Sequence, residues 1–384
     1  MKLDYTKCMG CHACVSKCPQ TCISMKADEL GFLYPVIDDK KCVNCGLCVK
    51  TCEKVKKIPD CSKTREIYAV KNRNIDIVKA SSSGGVFSAL SNYVLKNQGV
   101  IVGAVYDDAM NVKHVFAETF TQRDKMRGSK YTYSLCDINI FTQVEKTLKT
   151  GKLVMFVGTP YQVSALKIFL EKEYENLFLV DLLCHGICAP IIYSDFLKDI
   201  RKTNKEVIDI NFRYHETDWH SPKTVVTYDN RKSKKTERVN SYFKMFVRDY
   251  CLRESCYTCS FASFDRVSDV TLGDFWGIEN CHKEFDDVEG VSVCVINTMK
   301  GKSLFENAKN ELDVLKCEEK DCTHKQLNGL PHKGRNQEFI DDYLKYGYTF
   351  VRKKYATPKL SIRVREKLYR VKFINKVRNI LKKI

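Results

Sequence analysis

Cys8-x-x-Cys11-x-x-Cys14-x-x-x-Cys18-Pro19 opens the chain, and Cys42-x-x-Cys45-x-x-Cys48-x-x-x-Cys52 repeats it with every cysteine displaced by 34 residues. Three thiolates at this spacing can wrap one corner of an iron–sulfur cube. The fourth is carried away where the chain turns at the proline, and in two-cluster ferredoxins it ligates the other cube. The spacing therefore assigns Cys8, Cys11, Cys14 and Cys52 to one [4Fe-4S] cluster, and Cys42, Cys45, Cys48 and Cys18 to a second. Zinc explains the pattern less well, because it takes four ligands, usually as two separated Cys-x-x-Cys pairs. A disulfide framework would need an oxidising compartment. The repeat departs at Glu53, where the first run has proline; this loosens the second turn and removes no ligand. Cys22 lies outside both runs and reads as a small buried hydrophobe.

Around this stretch, 384 residues leave room for a ferredoxin unit plus one or two α/β domains, and 44% hydrophobic content is ordinary for a packed core. The start, Met1-Lys2-Leu3-Asp4-Tyr5, lacks the apolar run of a signal peptide. No stretch approaches a bilayer span. Twenty cysteines then point to a reducing cytosol, with thiols used for metal. Oxygen-sensitive clusters would suit an anaerobic or microaerobic setting. The formal charge of +17 is uneven: residues 351–384 hold thirteen Lys or Arg against one acid, Glu366, so +12 sits in the tail and only +5 in the rest. Basic charge and cysteines lie at opposite ends, which argues against a metal-binding nucleic-acid protein.

The ferredoxin unit should end near Ile58-Pro59-Asp60, with a short strand or hairpin over residues 31–38 closing it. From Arg65 strands and helices alternate. Ile67–Lys71 and Gly99–Tyr106 read as strands, with a helix from Val86 to Lys96 between them. Ser81-Ser82-Ser83-Gly84-Gly85 precedes that helix. Small residues there would let backbone N–H groups approach a phosphate; the same residues equally suit a serine N-cap with glycines for close packing. Gly128-Ser129-Lys130 could likewise serve a phosphate, or be an exposed basic loop. Strands at Lys152–Val157 and Leu177–Leu183 end in Gly158-Thr159-Pro160 and Cys184-His185-Gly186, the first followed by a helix over Gln162–Leu170. Such endings predict a ligand crevice at the carboxyl edge of a parallel sheet.

Residues 206–238 read as a charged antiparallel insertion. Beyond it come Cys256-x-x-Cys259, a strand over Asp269–Leu272, Gly273-Asp274-Phe275-Trp276-Gly277, a strand over Gly290–Asn297 and a helix over Gly301–Glu311. Trp276 reads as a core tryptophan, with packing flat on a cofactor or a cluster as the alternative. Cys281, Cys294, Cys317 and Cys322 show no ligand spacing and read as packing residues; His324 and His332 have no partner at a diagnostic spacing. In the tail, Val364, Leu368, Val371, Ile374, Val377, Leu381 and Ile384 make a helical stripe opposite Lys and Arg. This predicts a basic amphipathic helix over 361–384, lying on an anionic membrane surface or docked on the body or a partner.

Taken in order, Ser83-Gly84-Gly85, Gly128-Ser129-Lys130-Tyr131, Gly158-Thr159-Pro160, Cys184-His185-Gly186, Cys256-Tyr257-Thr258-Cys259 and Gly273-Asp274-Phe275-Trp276-Gly277 resemble the beta subunit family of coenzyme F420 hydrogenases and dehydrogenases, which also contains chlorophyll-cycle 7-hydroxymethyl reductases. The resemblance runs from the ferredoxin unit to about residue 340. It implies FAD in the α/β domain, near Ser83, Gly84, Gly85, Ser129 and Lys130, and a further [4Fe-4S] cluster held by Cys184, Cys256, Cys259 and a cysteine after Gly-Thr-Pro. Here that position is Tyr161. Tyrosine is a poor replacement for thiolate, so the third cluster is absent, incomplete or completed by another residue such as Cys188.

The fold expected is an α+β ferredoxin-like N-terminal domain (1–60) followed by an α/β flavin-binding domain with a mixed sheet, in two parts (65–180 and 181–345), and the basic tail (351–384). The expected function is an oxidoreductase relaying electrons between clusters and FAD, with F420, a related hydride carrier or a redox protein such as ferredoxin as partner. An electron-transfer subunit without its own substrate, and a membrane-surface reductase in glycan assembly, are the alternatives. The location expected is cytoplasmic, including the inner membrane face. No catalytic residue is singled out, and His185 reads as structural rather than as a partner of flavin or cluster sulfur.

Overall fold

The computed structural model describes residues 3–61, 63–201, 206–214, 218–229, 233–234, 237–334 and 336–356. In the ferredoxin-like unit, β1 (Ile23–Ala27) and β2 (Leu33–Ile37) form an antiparallel hairpin, the closure expected around residues 31–38. The main body contributes β3 (Glu66–Asn72), β4 (Val100–Tyr106), β5 (Val112–Ala117), β6 (Ser134–Leu135), β7 (Val154–Gly158) and β8 (Leu177–Leu182). It continues with β9 (Val207–Tyr214), β10 (Lys223–Tyr228), β11 (Ser233–Lys234), β12 (Val270–Asp274), β13 (Ser292–Ile296) and β14 (Leu312–Cys317).

Nine of these make one mixed sheet in the order β14-β3-β13-β12-β8-β7-β4-β5-β6. Its centre, β12-β8-β7-β4, is parallel, and the ladders from β12 out to β14 are antiparallel. The central strands read as unbroken apolar runs because both faces are covered. Val154, Met155 and Phe156 of β7 are all fully buried. Removing a ring such as that of Phe156 costs about 3–5 kcal/mol, since the packed surroundings cannot close the void.

On one face lies helix Val86–Lys96, whose Val86, Ala89, Leu90 and Val94, spaced by three and four, are buried with Leu304 and Phe305 of helix Met299–Ala308. On the other lie helices Ile138–Lys149 and Pro160–Leu170. Ala13 and Val55 of the ferredoxin-like unit join this second core, and Ser164 Oγ donates to the Val55 carbonyl at 2.6 Å. The cluster unit is therefore packed onto the sheet's helical layer, not hung from a linker. A third core sits between the small antiparallel sheet β9-β10-β11 and helices Pro190–Arg201, Glu237–Val247 and Asn336–Val351, with Phe196 stacked on Tyr242 at 5.0 Å.

Helix Val86–Lys96 has the bounds expected, and the insertion is antiparallel as expected. Strand β14 at the sheet edge, strand β5 and helices Ile138–Lys149, Pro190–Arg201 and Asn336–Val351 were not read from sequence. Val351, Tyr355 and Ala356 are buried in the third core, so the first residues of the basic segment belong to the folded body. The amphipathic helix expected over 361–384 lies outside the described residues. Among those described, no helix is long and apolar enough to cross a membrane.

Candidate redox site

The first cysteine run turns through left-handed backbone at Gly10 (φ 68°) and His12 (φ 62°), and the second through Asn44 (φ 54°) and Gly46 (φ 70°). Gly10 is needed: a Cβ there would lie 3.1 Å from the Leu33 carbonyl and 3.3 Å from Arg253 Nη1. The Gly10 N–H points to Cys8 Sγ at 3.4 Å. Burial, and then the neighbouring Cys8 and Cys52, push Cys11 up to about 12; Cys14 is raised by burial and by the charges of Cys11, Cys8 and Cys52. Cys52 is among the thiols whose charge bears on Cys11 and Cys14, and Cys48 bears on Cys14 as well. Thiols crowded and desolvated in this way resist ionisation until a cation is supplied, which is what a cluster's irons do. Two buried nitrogens at this run, Arg253 Nη1 and His12 Nε2, have no hydrogen-bond partner among the described residues, and each can donate. Cluster sulfides are acceptors, so these donors fit the group.

Cys42, Cys45, Cys48 and Cys18 line a second small cavity. Cys22 is buried in a small core with Leu3 and Ile23, as expected, and also lines this cavity with its Sγ 3.3 Å from Cys18 Sγ.

The larger cavity, about 380 Å³, opens at the carboxyl ends of the parallel strands. Val157 and Gly158 at the end of β7 with Thr159 after it, Leu183 and Cys184 after β8, and Asp274 at the end of β12 reach it. Helix Pro160–Leu170 starts cleanly there because Thr159 and Gln162 form a capping box with Pro160 in the first turn. Ser83, Gly85, Ser129 and Lys130 all line this cavity. Ser129 donates from its N–H (2.7 Å) and Oγ (2.9 Å) to Ser82 Oγ, which ties the two loops together. Gly84 turns the other way, against the sheet: a Cβ would collide with the Val70 carbonyl oxygen and lie 2.8 Å from Ser292 N. No side chain caps helix Val86–Lys96, whose N-cap is Gly85 at φ 78°. The serine N-cap is thus not formed, and the helix's first N–H groups keep their capacity for an anion.

Lys130 does not project as a free charge. Its Nζ donates to the carbonyls of Met126 (3.2 Å), Arg127 (3.0 Å) and Gly128 (3.2 Å), and burial lowers its pKa to about 8. The opposite wall holds features the sequence did not disclose. Arg213 pairs with Asp274 at 2.9 Å and stands 4.8 Å from the Trp276 ring centre, and Trp276 is stacked on the buried Trp219 at 5.0 Å and 20°. Trp276 is half-buried: it packs against the core around Trp219, in line with the core reading, and also lines the cavity. His185 Nε2 lies 2.7 Å from Asp249 Oδ1 and its Nδ1 is 3.0 Å from Gln326 Nε2, an orientation held from both sides. His324, pushed down to about 4 by burial, also lines the cavity and accepts the Gln326 N–H.

Cys184, Cys256 and Cys259 meet in a smaller cavity of about 40 Å³ beside the large one, with Met9, Tyr161 and Arg266 in its wall. Tyr161, Cys184 and His185 border both. Cys256 Sγ accepts the Ile187 N–H at 3.2 Å, and burial followed by the charge of Cys259 raises Cys184 to about 12. Cys188 does not complete the set: its Sγ lies 3.3 Å from Cys251 Sγ and it does not line this cavity. Tyr161, buried, has its phenol held well above its usual pKa, first by desolvation and then by Tyr133 and Cys184. In this environment it is a neutral hydroxyl. Three thiols and a phenol do not fit a four-thiolate cluster.

Residues 151–321 match the family model for the C terminus of the beta subunit of coenzyme F420 hydrogenase/dehydrogenase, and residues 7–55 match a 4Fe-4S dicluster domain. The resemblance drawn from the motifs is borne out, and the dicluster match supports two [4Fe-4S] clusters. The chain is an iron–sulfur protein related to F420 hydrogenase beta subunits. The loops at Ser83 and Ser129 lie outside both matches. No curated protein matches the chain. Among solved structures, a chain of the xenon-derivatised F420-reducing [NiFe] hydrogenase complex from Methanosarcina barkeri is similar at 17% identity and a TM-score of 0.46, over 74% of this chain and 94% of that one.

Proposed function

We propose that this chain, joining a 4Fe-4S dicluster domain to a segment that matches F420 hydrogenase/dehydrogenase beta subunits, is a flavoprotein oxidoreductase that relays electrons between two [4Fe-4S] clusters and FAD. Coenzyme F420, a related hydride carrier or a ferredoxin is its partner. FAD exchanges electrons singly or in pairs and so connects a hydride donor to clusters that pass one electron at a time. Cys8, Cys11, Cys14 and Cys52 hold one cluster, and Cys42, Cys45, Cys48 and Cys18 the other.

In the large cavity, the Ser82–Ser129 tie and the uncapped helix at Gly85 receive the pyrophosphate. Trp276, stacked on Trp219, and the Arg213 guanidinium 4.8 Å from its ring centre form the wall against which a planar ring lies. His185, fixed between Asp249 and Gln326, presents an oriented imidazole at the end nearest the thiols. The observation that carries the reading is continuity. The large cavity shares Tyr161, Cys184 and His185 with the thiol-lined one, and the latter is walled by Met9, which sits between the cluster cysteines Cys8 and Cys11. This continuity supports a path between the cofactor site and the first cluster.

The test is anaerobic purification with iron, sulfide and flavin quantified per chain, followed by mixing with F420, NADH or reduced ferredoxin. About eight irons with one FAD, reduced by at least one of these donors, is the expected outcome. Iron without flavin, or a flavin that none of the donors reduces, overturns the reading and leaves a carrier without a substrate of its own.

A further inference from the structure

Away from the cluster thiols, Cys281, His282 and Asp321 bring a sulfur, an imidazole nitrogen and a carboxylate oxygen within 4.8 Å of one another. From these we infer a divalent-metal site for zinc, separate from the redox centres, that buckles two segments of the cavity wall together. Cys281 was read from sequence as a packing residue; it is exposed.

The donors come from two elements 40 residues apart. Cys281 ends the short helix Ile278–Cys281, His282 follows it, and Asp321 ends the turn Glu319–Asp321. His282 Nε2 lies 3.3 Å from Asp321 Oδ2, and Cys281 Sγ lies 3.8 Å from the Asp321 carbonyl. Tetrahedral zinc with bonds of about 2.0–2.3 Å holds its ligands about 3.3–3.8 Å apart, so small side-chain rotations close the set. The support around the ligands is also present. His282 Nδ1 is 3.6 Å from Glu284 Oε1, the kind of carboxylate partner that fixes a ligating imidazole, and Asp321 Oδ2 accepts the Glu318 N–H at 2.8 Å. Thiol, imidazole and carboxylate together select a borderline ion such as zinc over calcium or magnesium. Lys320 does not fill the place of the cation, since its ammonium pairs with Glu318 at 2.7 Å. The exposed side of Cys281 leaves the fourth position to water.

The consequence lies in what each element carries. The short helix begins directly after Trp276 and Gly277, and the turn leads into Thr323, whose Oγ1 donates to the Trp276 carbonyl at 2.9 Å, and on to His324 and Gln326 at the cavity. Zinc would hold these two stretches of wall in register without touching the electron path.

The test uses the full chain, purified anaerobically with its clusters, exposed to Zn²⁺, freed of excess and analysed for zinc and iron together. One zinc per chain beyond the iron is expected, lost in Cys281→Ser and in Asp321→Asn while iron and the visible spectrum stay unchanged. Co²⁺ in its place should give a thiolate-to-cobalt absorption that Cys281→Ser abolishes. No zinc in the wild-type chain, or zinc retained by both variants, overturns the site.

Discussion

Tyr161 stands where the resemblance implies a cysteine. It is buried among Cys184, Tyr133 and the start of its own helix, and its phenol is kept neutral. Cys184, Cys256 and Cys259 nevertheless remain gathered, each desolvated and raised. Restoring the fourth thiol should therefore restore a ligand set. Tyr161→Cys is expected to raise iron from about eight to about twelve per chain after anaerobic reconstitution, with added charge-transfer absorbance. Unchanged iron would mean that the cavity has closed too far for a cube. This position was legible in the sequence as a departure from a motif. That Cys188 cannot substitute was not legible, because its pairing with Cys251 spans 63 residues and depends on how two loops meet.

At the scale of elements, the loop before helix Val86–Lys96 shows how a short motif acts. The serines and Gly85 face the cavity, while Gly84 lets the loop lie flat on the sheet between Val70 and Ser292. Gly84→Ala should push the loop off the β3–β13 ladder and lower flavin content at least several-fold. Iron per chain should not change, since the cluster unit is not involved. Normal flavin content in this variant would show that the loop does not bind the cofactor. The helix itself, the central strands and the turns ending them could be read from periodicity and glycine placement, because burial on a fixed face leaves that signature. The outer elements could not. β14 pairs with β3 across some 240 residues, and its burial alternates only weakly because it forms the sheet's edge. The buckle of Cys281, His282 and Asp321 was hidden for the same reason: a spacing of 40 residues has no motif.

At the scale of the molecule, Arg253 joins the ferredoxin-like unit to the main body. It is fully buried, donates from Nε to the Cys8 carbonyl at 2.6 Å and from Nη2 to the Leu33 carbonyl at 2.8 Å, and stacks 4.1 Å from the Tyr34 ring centre. Removing it takes a donor from two part-buried carbonyls and leaves a void where the ferredoxin-like unit meets the main body. Arg253→Ala should destabilise the chain by on the order of 3 kcal/mol. It should also speed loss of iron from the first cluster ahead of the second, followed by electron paramagnetic resonance of the reduced protein. Equal loss from both clusters would assign Arg253 a purely global role. No sequence pattern marks this residue, since its partners are main-chain atoms more than 200 positions away.

The stacked pair Trp219 and Trp276 accounts for both tryptophans of the chain. Every photon of indole emission therefore originates at one wall of the cavity. The protein carries its own optical reporter: excitation at the red edge of tryptophan absorption should show emission that falls as FAD fills the site, by energy transfer to the isoalloxazine. An unchanged signal on saturation would place the flavin elsewhere. Titrating the dye-free protein thus gives a binding isotherm in which no other part of the molecule can speak.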